Sequence, residues 1–243
     1  MARHPETPDV VEEIESGAER LAGWVAANLW LSAGIVLGVL AVVGAVGSYA
    51  SWKSSREESA SDALDTVRTA YLREMGASPG ALEVPELANP KAAQEIRERF
   101  LVQFREVAES QRGTVAGTLA LLETADLLEG LERPDERAAA FAEARESAPN
   151  PMLRAVVDRR VGYLHEDAGR WAEAAAAHEA AAAVAEYPLR AWALADAARC
   201  ELKAGRTAEA LALYDRLQTE APDLALPEHE AAQLRELRAA NQP

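Results

Sequence analysis

The feature that most constrains this chain is a run without a single charged side chain, from Leu21 to Trp52. Its most apolar part, from Leu29 to Tyr49, would be roughly 31 Å long as an α-helix, which matches a hydrocarbon core of about 30 Å. Aromatic residues lie near both ends, where their rings prefer the membrane interface: Trp24, Trp30, Tyr49 and Trp52. The run predicts a transmembrane helix over residues 29–50.

A cleaved signal peptide is the alternative interpretation of this run, because Ser48-Tyr49-Ala50 resembles a small-x-small cleavage site. A signal peptide, however, has a short, positively charged leader and a shorter apolar stretch. Residues 1–28 instead form an acidic leader with six carboxylates and two arginines. The leader favours an uncleaved anchor.

The span leaves two questions open. Gly34 and Gly38 form a G-x-x-x-G pattern, which lets two helix backbones approach closely, so homo-oligomerisation through the membrane helix and ordinary lipid packing are both compatible with it. The lysines and arginines that flank the span leave its orientation open, because the two sides differ by one residue.

Composition indicates an all-α, acidic protein. The 243 residues include 25 Lys and Arg against 40 Asp and Glu, a formal net charge of −15 that argues against binding nucleic acid or adsorbing to anionic lipid. Alanine, leucine, glutamate and arginine dominate, which is a helical composition. Cys200 is the only cysteine, which excludes an intrachain disulfide and a thiolate metal cluster.

The helical periodicity after the span predicts three further segments. Residues 51–112 form a membrane-proximal helical pair, in which a helix to about Met75 and a helix from Pro90 flank a loop rich in proline and glycine. Residues 113–226 form three helical repeat units, and residues 227–243 form a C-terminal capping helix.

The repeats are recognised from spacings that agree at several positions. Ala125, Gly162 and Ala198 are separated by 37 and 36 residues, and Phe141, His178 and Tyr214 have the same spacings. These residues resemble the tetratricopeptide consensus, in which a small residue allows close helix packing and an aromatic residue fills the gap. Three positions depart from the consensus: Arg137 replaces alanine, His178 an aromatic residue, and Glu186 proline.

The whole arrangement resembles the YfgM-like ancillary subunits of the Sec translocon. Three stretches carry the resemblance: GIVLGVLAVVGAVGSYASWKSSREESASDAL, LRAVVDRRVGYLHEDAGRWAEA and ALADAARCELKAGRTAEALALYD. The resemblance implies a single-pass protein of the bacterial inner membrane, with its N-terminus in the cytoplasm and its repeat domain in the periplasm. It also implies that the translocon, periplasmic chaperones or exported clients are the partners.

No pattern for catalysis, a cofactor or a metal is found in the sequence. There is no P-loop, no G-x-G-x-x-G after a strand and no G-x-S-x-G. His165 lacks the second histidine that a zinc helix needs, and His178 is expected to fill the core. Cys200, among alanines and leucines, is expected to be an inert buried thiol. We expect that the protein is not an enzyme and binds no cofactor.

We therefore expect the protein to function through a surface that binds other proteins. The tetratricopeptide resemblance implies a groove lined by the first helices of the units, with six candidate residues: Arg159, Tyr163, Trp192, Arg199, Leu202 and Lys203. Arginine and lysine beside aromatic rings suit an extended peptide or a C-terminal carboxylate. The alternative is that these residues are solvated helix side chains, with Trp192 partly buried.

Two functions remain for such a chain besides the disfavoured enzyme. The first is a membrane-tethered protein-interaction module, as an ancillary subunit that links the Sec translocon to periplasmic chaperones or clients. The second is a scaffold or assembly subunit of another envelope membrane complex, for example one for cytochrome c maturation.

Overall fold

The computed structural model describes residues 20, 22–78, 84–224 and 226–240, without the side chains of residues 230, 234 and 240. Most of the predicted acidic leader lies outside the described residues. Within these ranges there is no strand, and the structure contains the following helices: α1 (Leu29–Glu74), α2 (Pro90–Ser110), α3 (Val115–Gly130), α4 (Pro134–Ser147), α5 (Pro151–Asp167), α6 (Trp171–Ala182), α7 (Arg190–Lys203), α8 (Thr207–Glu220) and α9 (Glu228–Ala240).

The first of two compact units, Met1–Ser55, contains the apolar part of α1. Residues 22–27 are helical as well, and a turn at Asn28 separates them from α1. The most apolar 18-residue window of α1 has a mean hydropathy of 2.4, and none of that window is buried against other described residues. This window of α1 is therefore not a helix buried in the core of the described fold. A single membrane span and a signal sequence are both compatible with it.

The second unit, Arg56–Pro243, begins with the pairing of the C-terminal half of α1 with α2. Asn89 caps α2 by accepting hydrogen bonds from the backbone N–H groups of Lys91 and Ala92, as its position before Pro90 favours. Tyr71 on α1 lies 5.3 Å from the Phe100 ring, centroid to centroid. Aromatic contacts of this kind hold the helical pair together.

Three antiparallel helix pairs follow, α3–α4, α5–α6 and α7–α8, and they confirm the predicted repeat register. In each unit, the small residue of the first helix and two positions of the second helix are buried. The buried positions are, unit by unit, Ala125, Phe141 and Ala144; Gly162, His178 and Ala181; and Ala198, Tyr214 and Leu217. The expected fold class is therefore confirmed: the chain is all-α, with one long apolar helix followed by tetratricopeptide-like repeats.

His178 fills the core of the second unit, as predicted, and Gly162 is required beside it. A Cβ atom at Gly162 would lie 2.6 Å from both ring nitrogens of His178, which is closer than side chains pack. The helices of the second unit cross where the sequence placed their closest approach, and the imidazole ring fills the space that a Cβ would need.

The first helix of every unit ends in the same backbone motif. The residue after the C-cap adopts a left-handed conformation in all three units: Glu132 (φ 56°), Gly169 (φ 68°) and Gly205 (φ 78°). The next residue, an arginine in each unit, donates its backbone N–H to a carbonyl five residues earlier, which is the Schellman arrangement. Glycine suits this conformation, whereas Glu132 adopts it with a Cβ in place.

Replacing Glu132 with glycine is therefore expected to stabilise the protein by about 0.5–1 kcal/mol, since relief of the left-handed strain exceeds the extra entropy of the unfolded chain. Denaturant unfolding of the full-length protein measures this difference. The matched reverse change, Gly169→Glu, should destabilise the protein by a similar amount. Equal stability of Glu132→Gly and wild type would show that the left-handed residue carries no strain.

Candidate functional site

Ion pairs join the first helix of each unit to the first helix of the next unit. These helices are therefore neighbours. Arg160 on α5 pairs with Asp126 on α3 at 2.6 Å, and Arg159 on α5 pairs with Asp196 on α7 at 3.0 Å. We call the exposed side of α3, α5 and α7 the first-helix surface. Arg159, Tyr163 and Arg199 lie on it beside acidic partners. Leu202 and Lys203 lie at the C-terminal end of α7, and Trp192 lies near its N-terminal end.

Arg159 and Tyr163 converge on one carboxylate. The Arg159 Nε and a terminal nitrogen donate to Asp196 Oδ2 at 3.1 and 3.0 Å, and the Tyr163 hydroxyl donates to the same oxygen at 3.0 Å. The guanidinium also lies over the Tyr163 ring. Burial and the negative charge of Asp196 raise the pKa of Tyr163 to about 12, so the phenol stays protonated and donates to Asp196.

Arg199 is bound by both oxygens of Glu166, at 2.6 and 2.9 Å, and by Asp196 at 3.2 Å. His178 Nε2 lies 2.8 Å from Glu166 Oε1. Burial alone would raise the pKa of Glu166, but the hydrogen bonds from His178 and Arg199 outweigh it and lower the pKa to about 2. The second and third units are thus joined by a network of partly buried charges.

The carboxylates of Asp196 and Glu166 are the site residues that the sequence analysis missed. Each is close to one repeat length from its arginine: Arg159 and Asp196 are 37 residues apart, and Glu166 and Arg199 are 33 apart. Opposite charges separated by about one repeat were the available signal. Because of these acids, Arg159 and Arg199 do not form a patch of unneutralised positive charge.

The remaining predicted residues lie around α7. Trp192 is exposed, and Lys203 Nζ lies 4.2 Å from the centroid of the Trp171 ring. Leu202, Lys203 and Arg199 line a cavity of about 440 Å³ between α7, α8 and α9, the C-terminal cavity. Its other lining residues are mostly apolar: Ala195, Ala198, Tyr214, Leu217, Leu226, His229 and Gln233.

Arg159 and Tyr163 line a different cavity of about 430 Å³, the groove cavity. It lies along the exposed side of α5 and is completed by Val156, Tyr187 and Leu189 with two further arginines, Arg137 and Arg160. Five of the six predicted residues are therefore divided between these two cavities, and Trp192 lines neither of them.

One group of residues offers atoms that a metal ion could use. The candidate ligand atoms of Glu166, His178 and Cys200 lie within 4.8 Å of one another. Burial and the charge of Glu166 raise the pKa of Cys200 to about 12, which favours the neutral thiol. Since Arg199 holds both oxygens of Glu166, a metal ion would have to displace that guanidinium, and the geometry fits an ion-pair network better than a metal centre.

Gly34 and Gly38 lie on the apolar part of α1. A Cβ at either position would meet no atom within 4 Å. The described structure thus leaves space for another helix at both glycines, and helix pairing there stays a prediction.

Comparisons with known proteins give similarity of fold alone. No protein-family model matches the chain, and no curated protein matches it. Among solved structures, the TPR-like repeats of a putative kinesin light chain from Podosopora anserina align with 16% identity over 63% of this chain and 84% of that chain, with a TM-score of 0.47. The apo form of RapI aligns with 14% identity and a TM-score of 0.48 over 76% of this chain, which spans about half (48%) of RapI. BtubC from P. vanneervenii aligns with 12% identity and a TM-score of 0.43, over 79% of this chain and 94% of BtubC.

Proposed function

We propose that this chain is a membrane-tethered protein-interaction module whose first-helix surface binds a partner protein. The observation that carries the proposal is the set of ion pairs that joins α3, α5 and α7. These pairs fix neighbouring units in register and leave Trp192 and the groove cavity exposed beside them. Stacked helical repeats generally use such extended surfaces for binding.

In its more specific form, the proposal makes the chain an ancillary subunit at the Sec translocon that links it to periplasmic chaperones or exported clients. The resemblance of the anchor and of the second and third repeats to the YfgM-like subunits supports this form. The apolar helix α1 supports anchoring in the bacterial inner membrane. The N-terminus would then be cytoplasmic and residues 53–243 periplasmic.

Topology is tested by reporter fusions. Alkaline phosphatase fused after Pro243 is expected to be active, because that enzyme matures only in an oxidising compartment. A cytoplasmic reporter at the same position should be inactive. The reverse pair of activities would place the repeats in the cytoplasm and would remove the periplasmic partners from the proposal.

Partner identity is tested by purification from membranes in mild detergent. An ancillary subunit of the translocon should recover translocon components together with weakly bound, heterogeneous proteins. Stoichiometric recovery of one other envelope complex would instead support the scaffold function. If only lipid is recovered with the protein, and no partner protein even after crosslinking, both functions are contradicted.

A further inference from the structure

The C-terminal cavity has the size and the lining of a small-molecule site. Its volume of about 440 Å³ lies within the range of roughly 300–1,000 Å³ that ligand pockets have. Buried residues of α7 and α8 form its floor, and half-buried leucines form its walls. The floor consists of Ala195, Ala198, Tyr214 and Leu217, and the walls of Leu202 and Leu226. Such a lining favours a ligand with an apolar body.

The cavity is separate from the groove along the first helices. None of its described lining residues also lines the groove cavity. On its outer side it is bordered by α9, and Arg238 attaches α9 to α8 through an ion pair with Asp215. The Arg238 guanidinium also lies 5.5 Å from the centroid of the Tyr214 ring. An occupant is surrounded by three helices, which favours a small molecule over a segment that runs from unit to unit.

Two polar side chains line the cavity at positions where the repeat pattern has apolar residues. His229 and Gln233 lie about one turn apart on α9. The residues 36 positions before them, Ala193 and Ala197, are completely buried in α7. A helix that only completed the apolar core would carry similar residues. The imidazole and the amide instead add hydrogen-bonding groups to the wall of the cavity.

The charged residues of the cavity favour an anion. Asp and Glu outnumber Lys and Arg in the chain by 40 to 25, yet the described residues that line the cavity include Arg199 and Lys203 and no acidic residue. Glu166 and Asp196 already compensate the charge of Arg199. Lys203 lies over the Trp171 ring, and its ammonium group has three N–H donors, so that it can also bind a carboxylate.

We propose that the C-terminal cavity binds a small amphipathic carboxylate, with its apolar body on the floor and its carboxylate beside Lys203. His229 and Gln233 donate further hydrogen bonds to the carboxylate. Because the ligand contacts both α7 and α9, its binding stabilises the position of α9 on the third unit. This small-molecule site goes beyond the function proposed above, since it lies outside the groove cavity.

The test is a ligand-observed NMR titration of the full-length protein in nanodiscs of zwitterionic lipid. Empty nanodiscs give the background that is due to partitioning into lipid. The probe is phenylbutanoate, and phenylbutanol is the matched neutral molecule with the same apolar body. We expect phenylbutanoate to bind with a dissociation constant below about 1 mM. Phenylbutanol should bind at least tenfold more weakly, because it lacks the charged acceptor for Lys203.

Two pairs of variants locate the site. Lys203→Glu should weaken phenylbutanoate binding at least tenfold, whereas Lys91→Glu makes the same change of charge at an exposed position of α2 and should have no effect. Leu202→Trp places a large ring in the cavity and should also weaken binding at least tenfold. Val102→Trp adds the same ring at an exposed position of α2 and should leave binding unchanged. Circular dichroism confirms the helical content of each variant, and the exposed position of Lys203 keeps the test valid if Leu202→Trp does not fold.

No binding of phenylbutanoate by wild type, equal binding of phenylbutanol, or equal weakening by Lys91→Glu or Val102→Trp would overturn the proposal. A short peptide that ends in leucine with a free carboxylate tests the other occupant, the C-terminus of a protein. If this peptide binds more tightly than phenylbutanoate and its amidated form does not bind, the occupant is a protein C-terminus and the small-molecule site is wrong. None of these results depends on the recovery of a partner protein, so the proposed interaction function is tested separately.

Discussion

Replacing Gly162 with alanine is expected to destabilise the protein by about 1–3 kcal/mol, although alanine normally stabilises a helix. The new Cβ would lie 2.6 Å from the ring nitrogens of His178, and that ring is fully buried and cannot move into solvent. Denaturant unfolding of the full-length protein in detergent, followed by circular dichroism, measures the change. Because repeat stability passes through neighbouring interfaces, protease protection of the third unit should fall as well.

The control for this prediction is the same change in a His178→Ala background. Without the imidazole ring, Gly162→Ala should become stabilising by about 0.8–1 kcal/mol, which is the helix preference of alanine over glycine. The reversal of sign identifies the ring contact as the cause, since a double-mutant cycle isolates the pairwise effect. The same sign in both backgrounds would mean that His178 and Gly162 are not in contact.

Replacing Glu166 with glutamine is expected to cost about 2–4 kcal/mol, because it leaves the partly buried Arg199 without its main counter-ion and weakens the contact to His178. Thermal and denaturant unfolding measure this loss. Glu143→Gln, at an exposed position of α4, is the matched removal of a carboxylate and should change stability by no more than about 0.5 kcal/mol.

The pH dependence of the free energy of unfolding tests the same contribution of Glu166. The pKa of Glu166 is about 2 in the folded protein, below its ordinary value of 4.5. Its stabilising contribution is therefore present above pH 4.5 and is lost as the pH falls from 4.5 towards 2. In wild type, the free energy of unfolding should fall in this window more steeply than in Glu166→Gln. Parallel pH profiles of the two proteins would show that the partners of Glu166 do not lower its pKa.

The fold was predictable from the sequence because its signals are periodic. Spacings of 36 and 37 residues placed Ala125, Gly162 and Ala198 at equivalent buried positions. The position of Gly169 and Gly205, applied one unit earlier, leads to Glu132, so its left-handed backbone was also within reach of the repeat pattern. The charge-free run similarly predicted a long apolar helix.

The candidate site was less predictable because it depends on which side chains meet. Selecting the cations Arg159 and Arg199 by their repeat positions indicated a basic groove, but the acids Asp196 and Glu166 share those helix faces. Helical periodicity assigns a side chain to a face, whereas the choice of ion-pair partner depends on rotamers and on the offset between neighbouring helices.

Photo-crosslinking in living cells measures most directly whether the first-helix surface binds a protein. A photoreactive amino acid replaces Trp192 in one strain and Val102 in another, so that two exposed apolar positions within residues 56–243 are compared. We expect a discrete protein adduct from position 192 and none from position 102. Adducts from position 102 alone, or from neither position while the full-length protein is present in the membrane, would contradict a partner on the first-helix surface.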